Sequence, residues 1–539
     1  MNKFLAVSVV ALSLPCSIFA QAASSGSRSC ESLSQWKIDG AKVASAETVV
    51  VGAFSPPPNS TPWLAGDPAF YKTLPSFCRL VIDAVPSSDS DIKIEVWMPV
   101  SGWNGKFQGQ ANGGFAGELD YHHLGVSLQK GYATAATDTG HSAGGTNASW
   151  ALGHPEKVKD FGYRAIHEMT RIAQAAVKEY YGSAVQRSYF DGCSNGGRQA
   201  LMEVQRFPQD YDGVIAGAPA NFWTHMLVKS LADAQATGTD PAAYIPASKI
   251  PALAQAVNSA CDAQDGVADG ILNDPRKCRF DPAVLLCKDS DSDKCLTQPQ
   301  IATLKELYQG PKDSHGDLIY PGYLPGAEEG PGGWGIWITG SAPGKSLIYA
   351  FSTGYFTNFV YENANWNYKE ARIDDALKAA EEKSTQDLNA TESNLAPFSA
   401  RGGKLVLYHG WNDPAISALN TINYYESVVR RMGAEKTADF LRVYMVPGMQ
   451  HCAGGPGPFA IGQGGMGAND SKHNIEVALE QWVEKGAAPA DLLATKFVDD
   501  NPAKGVKLTR PLCAYPQTAK YKGTGDTNDA ANFTCAPAN

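Results

Sequence analysis

The 539-residue chain is short of basic charge, with 45 Lys and Arg against 55 Asp and Glu and a formal net charge of −10. Nucleic acid and anionic membrane surfaces need basic patches, so both are excluded as expected partners. Charged residues make up only 19% and hydrophobic ones 43%, the balance of a folded globular protein. No Gly-X-Y period, heptad array or repeat of roughly 20 to 50 residues occurs, which removes fibrous and solenoid classes. CxxC pairs are absent, which argues against a zinc cluster. The phosphate-cradling pattern G-x-x-x-x-G-K-[ST] is also absent, and no G-x-G-x-x-G opens a helix. Beyond the N-terminus no run of about 18 apolar residues is found, so no membrane span is expected after processing.

The N-terminus reads as a secretory signal over residues 1–23. Lys3 supplies the positive region, Phe4 to Ala20 is an apolar run broken by Pro15, and Ala20-Gln21-Ala22 resembles a cleavage site. A membrane anchor is the plainer alternative, but the apolar run is short and no stop-transfer pattern follows. A lipoprotein reading of Cys16 is weakened by Pro15 in front of it. The expectation is a secreted or periplasmic protein. Removing the signal leaves ten of the 11 cysteines, an even number that fits disulfides in an oxidising compartment. Local spacing favours Cys261 with Cys278, Cys287 with Cys295, and Cys513 with Cys535.

Short apolar runs bounded by Gly, Asp or Pro read as buried strands: Gly131 to Asp138, Ser188 to Gly192 and Gly213 to Ala218. Asp91 to Pro99 alternates like a half-buried strand. Tyr163 to Tyr181 has helical spacing and ends at Gly182. The same alternation returns with strands Lys404 to Tyr408 and Phe440 to Val446 around a helix over Ala415 to Met432. This predicts a doubly wound α/β sheet in two halves, residues 24–220 and 398–539. Residues 221–397 are irregular, rich in Gly, Pro and aromatics, and read as one insertion with a thin core.

Gly192-Cys193-Ser194-Asn195-Gly196 matches G-x-S-x-G between a strand and an apparent helix, Arg198 to Phe207. That context is what a nucleophile elbow requires. A Ser hydroxyl needs a base and an orienting acid. In the order Ser, acid, His, the candidates are Asp413, just past one late strand, and His451, just past the next. Of the other histidines, His409 lies within a strand end and reads as a packing or hydrogen-bonding residue. His473 lies in a later polar stretch, and His122 and His123 precede the nucleophile. The ordinary alternative for Asp413 is capping of the helix that follows. Oxyanion donors are expected at the Asn195 amide and at Gly113 or Gly114, in the Gly-rich stretch Asn112 to Phe115.

Asp262, Asp265 and Asp269 fall within eight residues with glycines between them, a set of hard oxygen ligands suited to calcium. It does not meet the EF-hand spacing, and a solvated acidic turn is the plain alternative. The inserted segment also concentrates aromatics: Trp334, Trp337, Tyr355, Phe356 and Trp366. These suit stacking on an aromatic ring, or packing of the segment itself.

Cys193-Ser194, Asp413 and His451-Cys452 together resemble the motif of the tannase/feruloyl esterase family, and the likeness runs from the Cys30 region to Cys535. The resemblance implies an α/β-hydrolase fold with a lid domain over residues 221–397. It implies Ser194, Asp413 and His451 as the triad. It also implies a disulfide Cys193–Cys452, with Cys30–Cys78, Cys261–Cys278, Cys287–Cys295 and Cys513–Cys535 as the remaining pairs. A structural calcium ion in the lid would be held by Asp262, Asp265 and Asp269 side chains and by the Val267 and Ile271 carbonyls. No organic cofactor is implied. Small aromatic esters are the implied substrates, and of the aromatics in the inserted segment Trp334, Trp337 and Phe356 are the expected contacts. Hydroxycinnamoyl esters come first and galloyl esters next. A terephthalate monoester calls for a cation, and Pro331 to Glu370 offers only Lys345 and Lys369. A non-catalytic binding protein and a peptidase or lipase with the same triad are the rival readings.

Overall fold

The computed structural model of the protein describes Met1 and residues 28–58 and 60–538. The expected signal segment, Met1 aside, lies outside the described residues. One ten-stranded sheet runs through the chain: β1 (Lys37–Ile38), β2 (Ala41–Val49), β3 (Phe77–Ala84), β4 (Ile92–Pro99), β5 (Lys106–Gln110), β6 (Ala133–Thr137), β7 (Arg187–Cys193), β8 (Gly213–Gly217), β9 (Lys404–Gly410) and β10 (Leu441–Val446). Its spatial order is β1-β2-β3-β4-β6-β5-β7-β8-β9-β10. The pairs from β6 onward are parallel, and those from β1 to β6 antiparallel. This is the doubly wound α/β sheet that the strand and helix alternation predicts, in the α/β-hydrolase form that the family resemblance implies.

Residue choice explains the central strands. β6 (ATAAT) and β8 (GVIAG) are buried along their whole lengths, as expected where helices cover both faces. Helix α1 (Ala165–Tyr181) lays Ile166, Met169, Ile172, Ala173 and Val177 on the sheet, and Gly182 ends it at φ +70°. Helix α2 (Asn195–Arg206) follows β7 directly. Gly197 on α2 is required by contact, because a Cβ there would lie 2.2 Å from the Gly217 carbonyl oxygen and 2.9 Å from Pro219 Cα.

β5 escapes an apolar-run criterion because KFQGQ carries two glutamines, yet both are buried. Gln110 donates to Ser127 and Thr134 Oγ, and Gln108 accepts from Ser127 Oγ, so the polar groups are satisfied inside. β2 is missed for the opposite reason: it is mostly exposed and carries no apolar run.

The segment between β8 and β9 corrects the irregular reading. It contains α3 (Trp223–Gly238), α4 (Ile250–Cys261), α5 (Gln298–Gln309), α6 (Leu347–Tyr355) and α7 (Ile373–Leu388). A core of its own joins Leu253, Val257, Leu304, Leu307, Trp334 and Ile338. A second core packs α3, α6 and α7 against Phe115 and Phe161 of the sheet half. The Gly- and Pro-rich connections dilute the helical periodicity. One start signal was present in Thr297-Gln-Pro-Gln300, where Gln300 Oε1 accepts from the Thr297 N–H at 3.0 Å. After β10, helices and two hairpins complete the chain: β11 (Asp491–Phe497) with β12 (Val506–Cys513), and β13 (Gln517–Tyr521) with β14 (Phe533–Pro537).

Five disulfides form, Cys30–Cys78, Cys193–Cys452, Cys261–Cys278, Cys287–Cys295 and Cys513–Cys535. They are the pairs that the family resemblance implies.

Replacing Gly197 with Ala should cost about 1–3 kcal/mol in chemical denaturation, because only backbone can move aside. Gly144→Ala, where nothing lies within 4 Å of the added Cβ, should stay within about 0.5 kcal/mol. Equal stability of the two variants would contradict the packing argument.

Candidate active site

Ser194 stands at the turn between β7 and α2 with φ +67°, a conformation rare for a side-chain-bearing residue. The turn is held by backbone. The Ser194 N–H donates to Gly217 O at 3.0 Å, and its carbonyl accepts from Arg198 and Ala220 at 3.1 Å each. Gly192 is obligatory here, since a Cβ would sit 2.5 Å from Ala111 Cβ and 2.6 Å from Gly196 O.

β9 and β10 lie side by side in parallel, with Gly410 paired to Val446, so the loops after them leave at one edge. The first loop carries Asp413 and the second His451. His451 Nε2 is 2.8 Å from Ser194 Oγ, and His451 Nδ1 is 2.7 Å from Asp413 Oδ2. A carboxylate only accepts, so Nδ1 carries the hydrogen and Nε2 presents its lone pair to the Ser194 hydroxyl.

The two oxygens of Asp413 have different partners, and neither caps the helix that follows, which begins only at Ala418 after Ser417. Oδ1 accepts from the Ala415 and Ile416 N–H groups at 2.8 and 3.0 Å, closing a turn of the loop. Oδ2 meets His451, and also His409 Nε2 at 3.1 Å. The side chain has no exposure. Burial by itself would raise its pKa, but the adjoining His451 and His409 hold it well below the usual carboxylate range. The sequence offered His409 only as a packing or hydrogen-bonding residue; its place in the strand gave no sign that it shares Asp413 with His451.

The Cys193–Cys452 disulfide spans 259 residues of sequence and joins the residue before Ser194 to the residue after His451. Cys452 adopts φ +61°, and the Ala453 N–H turns back to His451 O at 2.7 Å. The bond therefore closes a tight turn at each end.

A cavity opens beside Ser194, and Gly114 and Asn195 line it. Its apolar walls are Trp223, Met226, Leu227, Trp337, Ile348 and Phe351. Ser230 is also part of the lining, and no charged side chain is, among the described residues. The Trp337 ring stands edge-on to His451, with centroids 4.9 Å apart. The other two expected lid contacts lie elsewhere. Trp334 is 1% exposed and packs on Tyr308 and Tyr323 in the lid core. Phe356 is buried beside Trp366. Helical segments turn these two rings inward, a distinction that composition does not carry. Trp223 and Phe351, which line the cavity, were not singled out in the sequence.

Gly114, not Gly113, lines the cavity; the Gly113 carbonyl accepts from Ala116 N–H at 2.9 Å. The stretch is fastened through Asn112, whose N–H donates to Gln199 Oε1 at 2.9 Å. Asn195 is anchored by Arg198, whose Nε donates to Asn195 Oδ1 at 2.9 Å. Among the described residues the Arg198 guanidinium has no carboxylate partner. It donates instead to the Phe161 and Gly162 carbonyls, and burial pushes its pKa down to about 9.

The acidic loop of the lid makes a second group. Asp265, Val267, Asp269 and Ile271 line one small cavity together with Arg510. Asp265 accepts from the Val267 and Asn273 amides, and Asp262 from the Asp269 and Gly270 amides. Asp269 forms an ion pair with Arg510 on β12. Burial pushes the Asp265 carboxyl up to about 6, with Asp269 and Asp262 adding to the rise. Hard oxygens gathered in one loop suit a calcium-type cation, but Arg510 lines the same cavity and already meets Asp269, so among the described residues Asp265 is the lining carboxylate without a cationic partner. Asp262 is directed into the loop backbone and does not line the cavity.

The model of the family "Tannase and feruloyl esterase" matches residues 78–536. An uncharacterized esterase of Xanthomonas campestris pv. campestris is 42% identical over 95% of this chain and 92% of its own. A protein of Aspergillus terreus named "Probable feruloyl esterase B-2" is 33% identical over 85% of this chain and 86% of its own. Among solved structures, feruloyl esterase B from Aspergillus oryzae superposes with a TM-score of 0.85 at 30% identity, covering 94% of this chain and 99% of that one. Tannin acyl hydrolase from Aspergillus niger shares the fold, with a TM-score of 0.73 at 23% identity over 94% of this chain and 93% of that one. With sequence, fold and a serine, histidine and carboxylate in contact all agreeing, the chain belongs to the tannase and feruloyl esterase family and is a carboxylic ester hydrolase.

Proposed function

We propose that the protein is an exported serine esterase acting on esters of phenolic acids, with hydroxycinnamoyl esters such as feruloyl esters preferred and galloyl esters second. The observation that carries this reading is the cavity beside Ser194, apolar, walled by Trp223, Trp337 and Phe351, and without a charged side chain. Flat rings stack on such walls. A terephthalate monoester would bring a carboxylate into this lining with no cation to meet it. Export is supported by the signal-like N-terminus and by five disulfides.

In the reaction, Ser194 Oγ attacks the ester carbonyl carbon as His451 Nε2 takes its proton. Asp413 fixes the ring and stabilises the imidazolium. The Asn195 amide begins α2, with no preceding helical turn to accept it, and the Gly114 amide has no protein acceptor among the described residues. These two N–H groups face the oxyanion. His451 returns its proton to the departing alcohol. Water, activated by the same nitrogen, then cleaves the acyl-enzyme and releases the acid. Residues 24–220 and 398–539 form the catalytic unit, and 221–397 the lid. A structural calcium ion in the lid would be held by the Asp265 and Asp269 carboxylates and the Val267 and Ile271 carbonyls, with Asp262 bracing the loop through its backbone amides.

Ser194→Ala should lower turnover of p-nitrophenyl esters by at least about 10³-fold; retained turnover would refute the triad. In a panel of methyl ferulate, methyl gallate, a peptide and a long-chain ester, kcat/KM should be highest for ferulate. Turnover of the peptide or long-chain ester alone would overturn the substrate assignment. The pair Cys193→Ser with Cys452→Ser should lose about 10²-fold in kcat with KM little changed, because small misplacements of reacting groups are costly; unchanged kcat would show that the bond does not align the site. Chelation should lower Tm by about 5 °C, and an unchanged Tm with no metal found by elemental analysis would remove the calcium site.

A further inference from the structure

We propose that His409 is a positioning residue for the reaction: its Nε2–H fixes the Asp413 oxygen that in turn orients His451. The inference rests on the reading of Ser194, His451 and Asp413 as the reacting set.

His409 is the penultimate residue of β9, four residues before Asp413, and is fully buried. Its Nε2 lies 3.1 Å from Asp413 Oδ2 and 3.1 Å from Ile416 O. Both are acceptors, so Nε2 carries the ring hydrogen and shares it between them. Nδ1 then accepts from Thr421 Oγ–H at 2.7 Å, and Thr421 is itself fully buried on α8 (Ala418–Met432). Three partners thus fix both the tautomer and the plane of the ring. Asp413 Oδ2 receives two imidazole N–H donors at once, one of which reaches Ser194 through His451.

The other ionisable groups near Asp413 do not take this place. Lys229 on α3 donates to Asp233 at 2.5 Å and lies over the Tyr323 ring, committed to its own cluster. Tyr323 donates to Asp233 as well. Tyr320 is buried, and its hydroxyl has no partner among the described residues. Among the described residues only His451 and His409 bond Asp413 through side chains. Without His409, Oδ2 keeps the His451 donor alone, and its position is set only by that bond and by the two amides on Oδ1. The acceptor that orients His451 Nδ1 is then held less tightly.

The test compares His409→Leu, which removes the donor at similar volume, with His409→Gln, whose amide places an N–H near the Nε2 position. His409→Leu should lower kcat about 10- to 100-fold with KM unchanged, the loss expected for one hydrogen bond to a charged group. His409→Gln should recover most of that loss while its Tm matches that of the Leu variant. The downfield proton resonance of His451 Nδ1–H should move in the Leu variant and return in the Gln variant. If His409→Leu does not fold, Thr421→Val frees the same ring from its other anchor and should lower kcat with the same shifted resonance. Wild-type kcat in the Leu variant, or kcat falling only in step with Tm while the resonance stays in place, would overturn the inference. Ser194→Ala, run alongside, separates the two levels. Activity surviving there would refute the triad itself, whereas an inactive Ser194→Ala beside a fully active His409→Leu would refute His409 alone.

Discussion

A carboxylate withdrawn from water must be surrounded by donors, and the Asp413 side chain has no exposure at all. Two backbone amides hold one oxygen and two imidazoles the other. Those four bonds come from three places: the loop that carries Asp413, the end of β9, and the loop after β10. The anion is therefore the point at which the two strands, the start of α8 and the histidine are brought into one geometry. Ser194 joins from the opposite direction, held by a strained turn that close glycine contacts make obligatory.

Much of that arrangement was legible in the residues. The elbow is a local pattern, because glycine contact and a strand–turn–helix context both leave marks within a few positions. Asp413 and His451 could be found because the ends of parallel strands in an open sheet face one side, so chain order narrows the choice. His409 could not be read in the same way: its side chain points inward from a strand, where an apolar residue would give the same pattern. The buried glutamines of β5 failed for a related reason. Hydrogen bonding to Ser127 and Thr134 let polar side chains occupy a core strand, and such compensation is visible only in three dimensions.

The lid shows the limit of composition. Its aromatics are numerous, and only some turn toward Ser194. Trp337 meets His451 edge-on while Trp334, three residues earlier, faces the lid core. Three residues on a short helix are enough to separate a ring that meets the active site from one that supports the scaffold. The wall of the cavity combines α3, which directly follows the sheet half, with α6 from deeper in the insertion. The identity of the acid that fits is thus decided by packing of the lid on the sheet, through Phe115 among others.

The Cys193–Cys452 bond has a topological consequence. All the chain between Ser194 and His451, the entire lid included, lies within the ring that this one bond closes. A protease cutting anywhere in that span opens the ring without dividing the molecule, since the two pieces stay joined through the sulfurs next to the nucleophile and the base. A single cut in a connection between β8 and β9 therefore leaves the two reacting side chains on one covalent frame.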